Sequence, residues 1–402
     1  MFRSRHLAPG AWVALLAVKF FTLSCPAEPA AAPGQFGFTG PEIFRVDSQI
    51  SQLRVGDLDG DGLNDMVVAN NARSKINLLY NQTGQTNRAV AGGKREINEL
   101  PSDARFRIES IASEKRISAL VLTDLNSDRR PDLAYFGDPK ELVVLYNEGT
   151  NGWSAPKRTI IDDGLLTPNG LCTGDLNGDS REDLVLLGEN CVYAFLQTAD
   201  RLLAEPRKIP FSGTVKSVQV VDADGNGRGD LLLVNWEDRN PFRLRLQNQD
   251  GELGPELYFA FSPIRSYWAD SLEQNHRTQV ISIAQNSGRA QVSEFVQQPA
   301  ETLSGCFSQG QFQVMPLGRT DKARRGVLWA DVTGDGRPDL LVAEPESGQL
   351  SIAEQQTDGT LKAAKSFPTL AGISDLAVAD WDQDGRAEIF MLSRDERQVG
   401  VA

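Results

Sequence analysis

Histidine, cysteine and clustered basic residues are all scarce, and each scarcity removes a class of function. The 402 residues hold two histidines and four cysteines. Only His276 lies beyond residue 27, which leaves almost no material for histidine-ligated zinc or histidine-based acid–base catalysis. Lys and Arg number 41 against 54 Asp and Glu, a formal net charge of −13. Phosphate binding needs clustered Lys and Arg, so this balance argues against a nucleic-acid partner. Beyond Cys25, the cysteines Cys172, Cys191 and Cys306 are an odd, sparse set, not a disulfide framework. They read as small buried hydrophobes, although two could pair in an oxidising compartment. No segment stays apolar for the about 20 residues of a membrane span. Beyond the N-terminus none keeps a helical apolar period over about 12 residues.

What is there begins with an export-like start. Arg3 and Arg5 precede an apolar stretch from Ala11 to Ser24, interrupted by Lys19, and Cys25-Pro26-Ala27 places small residues at a cleavage site. Loss of residues 1–27 removes three basic residues and takes the net charge from −13 to −16. The mature protein is then expected outside the cytoplasm: secreted, periplasmic or at the cell surface. Thr22-Leu23-Ser24-Cys25 resembles a lipoprotein box and would put a lipid anchor on Cys25, with Thr22 standing where an aliphatic residue belongs. Residues 28–41 read as a flexible linker and 42–402 as one domain.

That domain is a repeat. Asp57 opens DLDGDGLND, and related nine-residue stretches open at Asp124 (DLNSDRRPD), Asp175 (DLNGDSRED), Asp222 (DADGNGRGD), Asp331 (DVTGDGRPD) and Asp380 (DWDQDGRAE). A worn copy, DSLEQNHRT, opens at Asp270 and has lost the acidic ligands of positions 3, 5 and 9. The intervals between first positions are 67, 51, 47, 48, 61 and 49 residues, so seven copies recur at a basal period near 50. Each good copy sits between two short apolar runs rich in β-formers, such as LRV before and MVVA after the first. Further runs, INLLY and FRIESI in the first unit, bring the count to four antiparallel strands per unit.

Four-stranded units at this period predict an all-β, seven-bladed β-propeller. EIFRV (Glu42–Val46) matches an outermost strand with no inner strands before it, and the last unit runs out after a third strand near QVGVA. The N-terminal strand is therefore expected to complete the last blade and remove an open sheet edge.

The DxDxDGxxD pattern before a short apolar strand, seven times over, resembles the FG-GAP/VCBS repeats, which form the head propeller of integrin α subunits and occur in many secreted bacterial proteins. The turns NEGTNGWSAPKRTI (Asn147–Ile160) and QNQDGELGPELYF (Gln247–Phe259) fit the same family. The Phe-Gly and Gly-Ala-Pro elements are poorly kept, which makes the bacterial type the nearer likeness.

The acidic loops suit calcium. Hard oxygen ligands at positions 1, 3 and 5 of a curled loop can face one centre, glycine at position 6 permits the turn, and position 9 returns a last carboxylate. An EF-hand would need Glu at position 12, where the good copies carry Val68, Tyr135, Leu186, Leu233, Val342 and Met391. The expected ligand sets are Asp57, Asp59, Asp61 and Asp65; Asp124, Asn126, Asp128 and Asp132; Asp175, Asn177, Asp179 and Asp183; Asp222, Asp224, Asn226 and Asp230; Asp331, Thr333, Asp335 and Asp339; and Asp380, Asp382, Asp384 and Glu388. Arg129 and Ser180 replace the glycine of position 6, and Arg129 makes the second set the doubtful one. About five or six Ca²⁺ ions would nearly cancel the mature charge, acting as structural staples.

No catalytic constellation accompanies them: no nucleophile elbow, no phosphate loop, no histidine-rich motif. Arg228-Gly229-Asp230 spells RGD, but Asp230 is a ninth-position residue and its carboxylate is expected to point into the loop. The longer intervals reflect insertions at Thr83–Ala104 and near Pro299–Gly310, candidate recognition loops between third and fourth strands. Lys115-Arg116, Arg265 with Tyr267 and Trp268, and Lys322 with Arg324 and Arg325 are expected in blade-to-blade links on the opposite face. The leading expectation is a binding or adhesion module for a glycan or protein partner, not an enzyme. The alternatives are a sugar-active enzyme of the polysaccharide-lyase kind, since fold alone does not exclude catalysis, and a passive surface component.

Overall fold

The computed structural model describes residues 40–84, 105–271, 278–286, 289–297, 310–319, 326–357 and 360–402, all within one compact unit, Phe38–Ala402. The expected export signal with Cys25, residues 28–39 of the linker, most of the worn loop with His276, the interiors of both insertions with Cys306, and Lys322, Arg324 and Arg325 lie outside the described residues.

Seven antiparallel sheets of four strands form a ring of blades. The inner strands, which number the blades, are Ile50–Gly56, Arg116–Thr123, Leu171–Gly174, Ser217–Val221, Ile264–Ser271, Val327–Ala330 and Ile373–Ala379. Among the described residues the helical content is one 3₁₀ turn, Gly149–Asn151. The N-terminal strand Glu42–Arg45 pairs with Gln398–Val401, with Glu42 opposite Val401 and Arg45 opposite Gln398. It is the fourth strand of blade 7, so the first and last segments of the domain close the ring in one sheet.

The apolar runs are continuous because the middle strands are buried on both faces. In the second strand of blade 1, Met66 and Val68 pack with Phe390, Leu392 and Val399 of blade 7. Their neighbours Val67 and Ala69 pack with Ile117, Leu120 and Leu133 of blade 2. Similar layers join blades 2 and 3, 3 and 4, 4 and 5, and 5 and 6. The core is thus a stack of inter-blade layers, and exposure grows towards the outermost strands, where Ile160 and Ile43 are open to solvent. Cys172 and Cys191 carry free thiols, half-buried and buried.

The expected basic and aromatic links on the opposite face need correction. Arg116, Arg265, Tyr267 and Trp268 belong to inner strands. Lys115 is 4% exposed and paired with Glu141. A short apolar run cannot reveal by itself how far its strand extends into the flanking polar residues, and here the strands take them in.

Candidate metal centre

Each acidic loop is the turn between an inner and a second strand. Its ninth residue starts the second strand opposite the last inner-strand residue: Gly56 faces Asp65, Thr123 faces Asp132, Gly174 faces Asp183, Val221 faces Asp230, Ala330 faces Asp339 and Ala379 faces Glu388. The curl depends on left-handed backbone at positions 4 and 6, for instance φ 79° at Gly60 and 88° at Gly62. Glycine adopts this freely, whereas other residues strain by about 1–2 kcal/mol. Arg129 (70°), Ser180 (62°) and Gln383 (60°) adopt it nonetheless, so these substitutions strain the turn without abolishing it.

The carboxylates at the two ends of the loop hold it in shape. At position 1, Asp57 accepts the N–H groups of Gly60 (2.7 Å) and Gly62 (2.9 Å), and Asp222 those of Gly225 (2.9 Å) and Gly227 (2.8 Å). At position 9, Asp65, Asp132, Asp183, Asp230 and Asp339 are fully buried. One oxygen of Asp65 accepts from Leu58 N (2.9 Å) and the other from Asn81 N (2.7 Å). Asp132, Asp183 and Asp230 repeat the pattern with Leu125 and Asn147, Leu176 and Gln197, and Ala223 and Gln247. Burial pushes the carboxyls of Asp65, Asp132, Asp183 and Asp230 up to about 7. It also raises Asp339, Glu388, Asp59 and Asp224 above the usual carboxylate range.

The amide residues that close this pattern are functional positions that the acidic motif does not reveal. Asn81 Nδ2 donates to the Trp381 carbonyl at 3.1 Å, Asn147 Nδ2 to that of Leu58 at 2.7 Å, and Gln197 Nε2 to that of Asp124 at 3.3 Å. Asn81 reaches from the end of its third strand, and Asn147 and Gln197 from two residues past theirs, to the acidic loop of the preceding blade. Their signal in the sequence is a recurring Asn or Gln before the turn into the fourth strand, seen again at Gln247 and Gln355.

Position 7 is arginine in blades 2, 3, 4, 6 and 7, and what that arginine pairs with divides the loops. In blades 2, 3 and 6 its guanidinium pairs with the fifth-position carboxylate: Arg130 with Asp128 at 2.6 Å, Arg181 with Asp179, and Arg337 with Asp335. The same side chains donate through Nε to the carbonyls of Asn147, Gln197 and Gln355. In blade 1 position 7 is Leu63; in blade 4 Arg228 stands with Asn226, not a carboxylate, at the fifth position; and among the described residues Arg386 of blade 7 forms no ion pair with Asp384. Among the described residues, carboxylate oxygens from three acidic residues come within 4.8 Å of one another in blades 1 (Asp57, Asp59, Asp61), 4 (Asp222, Asp224, Asp230) and 7 (Asp380, Asp382, Glu388). The expected ligand Asp65 is not in the first group, and the sets of blades 2, 3 and 6 form none. Their third positions, Asn126, Asn177 and Thr333, supply no carboxylate.

A family model for the FG-GAP-like repeat matches residues 124–186, 175–233 and 324–391. The chain carries FG-GAP-like repeats. The three matches cover loops of blades 2 to 4, 6 and 7, and the propeller extends the same unit to blade 1. The match is to the repeat and carries nothing particular to integrin α subunits. No curated protein matches the chain. Among solved structures, the FG-GAP-like propeller is similar to an Agrocybe aegerita lectin described as recognising non-reducing terminal N-acetylglucosamine. The identity is 16% and the TM-score 0.56, over 87% of this chain and 86% of that one. It is also similar to BBS1N, solved in complex with ARL6DN, at 12% identity and TM-score 0.54, over 89% and 96%. A functionally unknown protein from Desulfotomaculum acetoxidans DSM 771 gives 14% and 0.51, over 83% and 90%. At these identities the likeness is one of fold.

The RGD tripeptide is absorbed by the loop. Asp230 is fully buried, and both its oxygens accept backbone N–H groups.

Proposed function

We propose that the chain is an exported binding module whose propeller is stiffened by calcium at its acidic loops. The observation that carries the metal reading is the convergence of three carboxylates in each of the loops of blades 1, 4 and 7. The donor set fits a hard cation: oxygen only, with like charges close enough to repel unless neutralised. Asp380 Oδ1 in addition is a buried oxygen without a hydrogen-bond partner. Asp57, Asp59 and Asp61, Asp222, Asp224 and Asp230, and Asp380, Asp382 and Glu388 would hold the ions. In blades 2, 3 and 6 the arginine at position 7 supplies part of the countercharge. Calcium, when bound, supplies electrostatic cross-linking of the turn and no chemistry beyond that.

The binding role is supported at the level of fold by the lectin among the structural relatives, and by loops held rigidly at the strand ends. Glycan or protein is the partner class, and the export-like N-terminus supports a place outside the cytoplasm. The test has two parts. Melting temperature is followed while Ca²⁺ is titrated against EGTA, and a shift of several degrees upward with calcium is expected. The calcium-loaded protein is then applied to glycan and protein arrays. An unchanged melting temperature removes the calcium role, and absence of any selective binding removes the module.

A further inference from the structure

One cavity lies on the acidic-loop face between blades 3, 4 and 5. It has a volume of about 380 Å³ and lies where the inner strands of blades 3, 4 and 5 end, within the range of small-ligand sites. Gly174 lets blades 3 and 4 approach there, since a Cβ at that position would stand 2.6 Å from Val220. Gln219 and Trp268 both line the cavity, and each carries a buried polar atom without a partner, Gln219 Oε1 and Trp268 Nε1. At the register of Trp268, two residues before the loop, four other blades place Val55, Leu122, Val220 and Val378, blade 3 places Thr173, and blade 6 repeats the indole with Trp329, whose Nε1 is likewise buried without a partner.

We infer that this cavity is a saccharide subsite, taking one sugar ring of a glycan, with Gln219 and Trp268 as its polar contacts. The chemistry of the two orphaned atoms selects the ligand class. Gln219 Oε1 is an acceptor and Trp268 Nε1–H a donor. An organic cation has only donors and leaves the indole N–H unanswered, whereas adjacent hydroxyls of a sugar both donate and accept. Asp175, Asp222 and Asp270 also line the cavity; Asp222 belongs to the calcium loop of blade 4 and Asp175 holds its own turn through the N–H groups of Gly178 and Ser180, and the cationic arm of the test addresses a cation drawn to the three carboxylates. Val220 and Ala269 give the C–H face of a ring apolar walls. Both orphaned atoms lie beneath the surface, so their side chains turn as the sugar enters.

This inference rests on the binding-module reading and narrows it to one partner class and one place. The test uses the full calcium-loaded protein with methyl glycosides of glucose, galactose, mannose and N-acetylglucosamine, with butylammonium as the cationic contrast, read by saturation-transfer NMR and titration. Gln219→Leu and Trp268→Phe should each weaken sugar binding at least about tenfold, the scale of a lost hydrogen bond in a site built for it. Their melting temperatures should hold or rise, because each removes a buried unpaired polar atom. Variants that bind sugar like the parent overturn the inference, as does butylammonium binding in place of the sugars. A protein that binds none of the sugars but selects a partner on the protein array overturns the subsite and leaves the module standing. A protein that binds nothing on any array removes both.

Discussion

Asn147 Nδ2 donates to the carbonyl of Leu58 at 2.7 Å, across the boundary between blade 2 and blade 1. The same residue accepts Gly149 N–H through Oδ1 and gives its own backbone N–H to Asp132. One amide thus ties the acidic loop of its own blade to that of the blade before it. Asn147→Ala leaves the Leu58 carbonyl and the Gly149 N–H without this partner and should cost about 1–3 kcal/mol. Urea denaturation measures it, and a cost below about 0.5 kcal/mol would show that the tie is incidental.

Whether the arginine at position 7 pairs with the fifth-position carboxylate should decide calcium stoichiometry. Isothermal titration is expected to find about three strong sites, those of blades 1, 4 and 7. Asp61→Ala should remove one of them. Arg181→Gln frees Asp179 from its guanidinium partner and should strengthen calcium binding in blade 3. A parent protein with six equal sites would refute this division.

Protons should compete with calcium. Burial holds Asp65, Asp132, Asp183 and Asp230 near 7 without the ion, against an ordinary value of 3.8. The folded chain then binds more protons than the unfolded chain between those values. Its stability in EGTA is accordingly full below about pH 4 and falls as the pH rises towards about 7. Calcium needs its own ligands ionised, and burial raises Asp59, Asp224, Asp230 and Glu388 among them, so its affinity should rise with pH over this range and oppose the trend in stability. Melting curves from pH 4.5 to 8, with calcium and with EGTA, check both signs. Parallel pH profiles in the two conditions would exclude the coupling.

Ring closure should depend on one aromatic contact. Phe44, on the N-terminal strand, meets Phe106 edge-on at 4.7 Å, and Phe106 stacks on Trp381 at 5.0 Å. Phe44→Ala should cost about 3–5 kcal/mol, typical of a buried phenylalanine truncated in a core. Unaltered unfolding in urea would mean that the last blade holds without its N-terminal strand.

Much of this architecture is written in the order of residues. A period near 50, nine-residue acidic turns and apolar runs with no gaps dictate hairpins whose strands are buried on both faces, and such strands must stack blade on blade. The closing strand is legible because Glu42–Val46 matches an outermost strand and has no inner strands of its own. The chemistry inside each loop is less legible. Position along the chain does not say that Arg181 folds back onto Asp179, or that a ninth-position carboxylate is already engaged by two backbone N–H groups. Those are outcomes of curl and burial, which bring residues 2, 7 and 9 of a loop against the end of the third strand. The ties from Asn81, Asn147 and Gln197 to the preceding blade, and the meeting of Gln219 with Trp268 at one cavity, exist only once the ring is formed. They join residues about 50 to 300 positions apart that nothing local brings together. The sequence by itself determines the blade, and tertiary packing decides which loops keep their charge open to an ion and where the ring offers a place for a ligand.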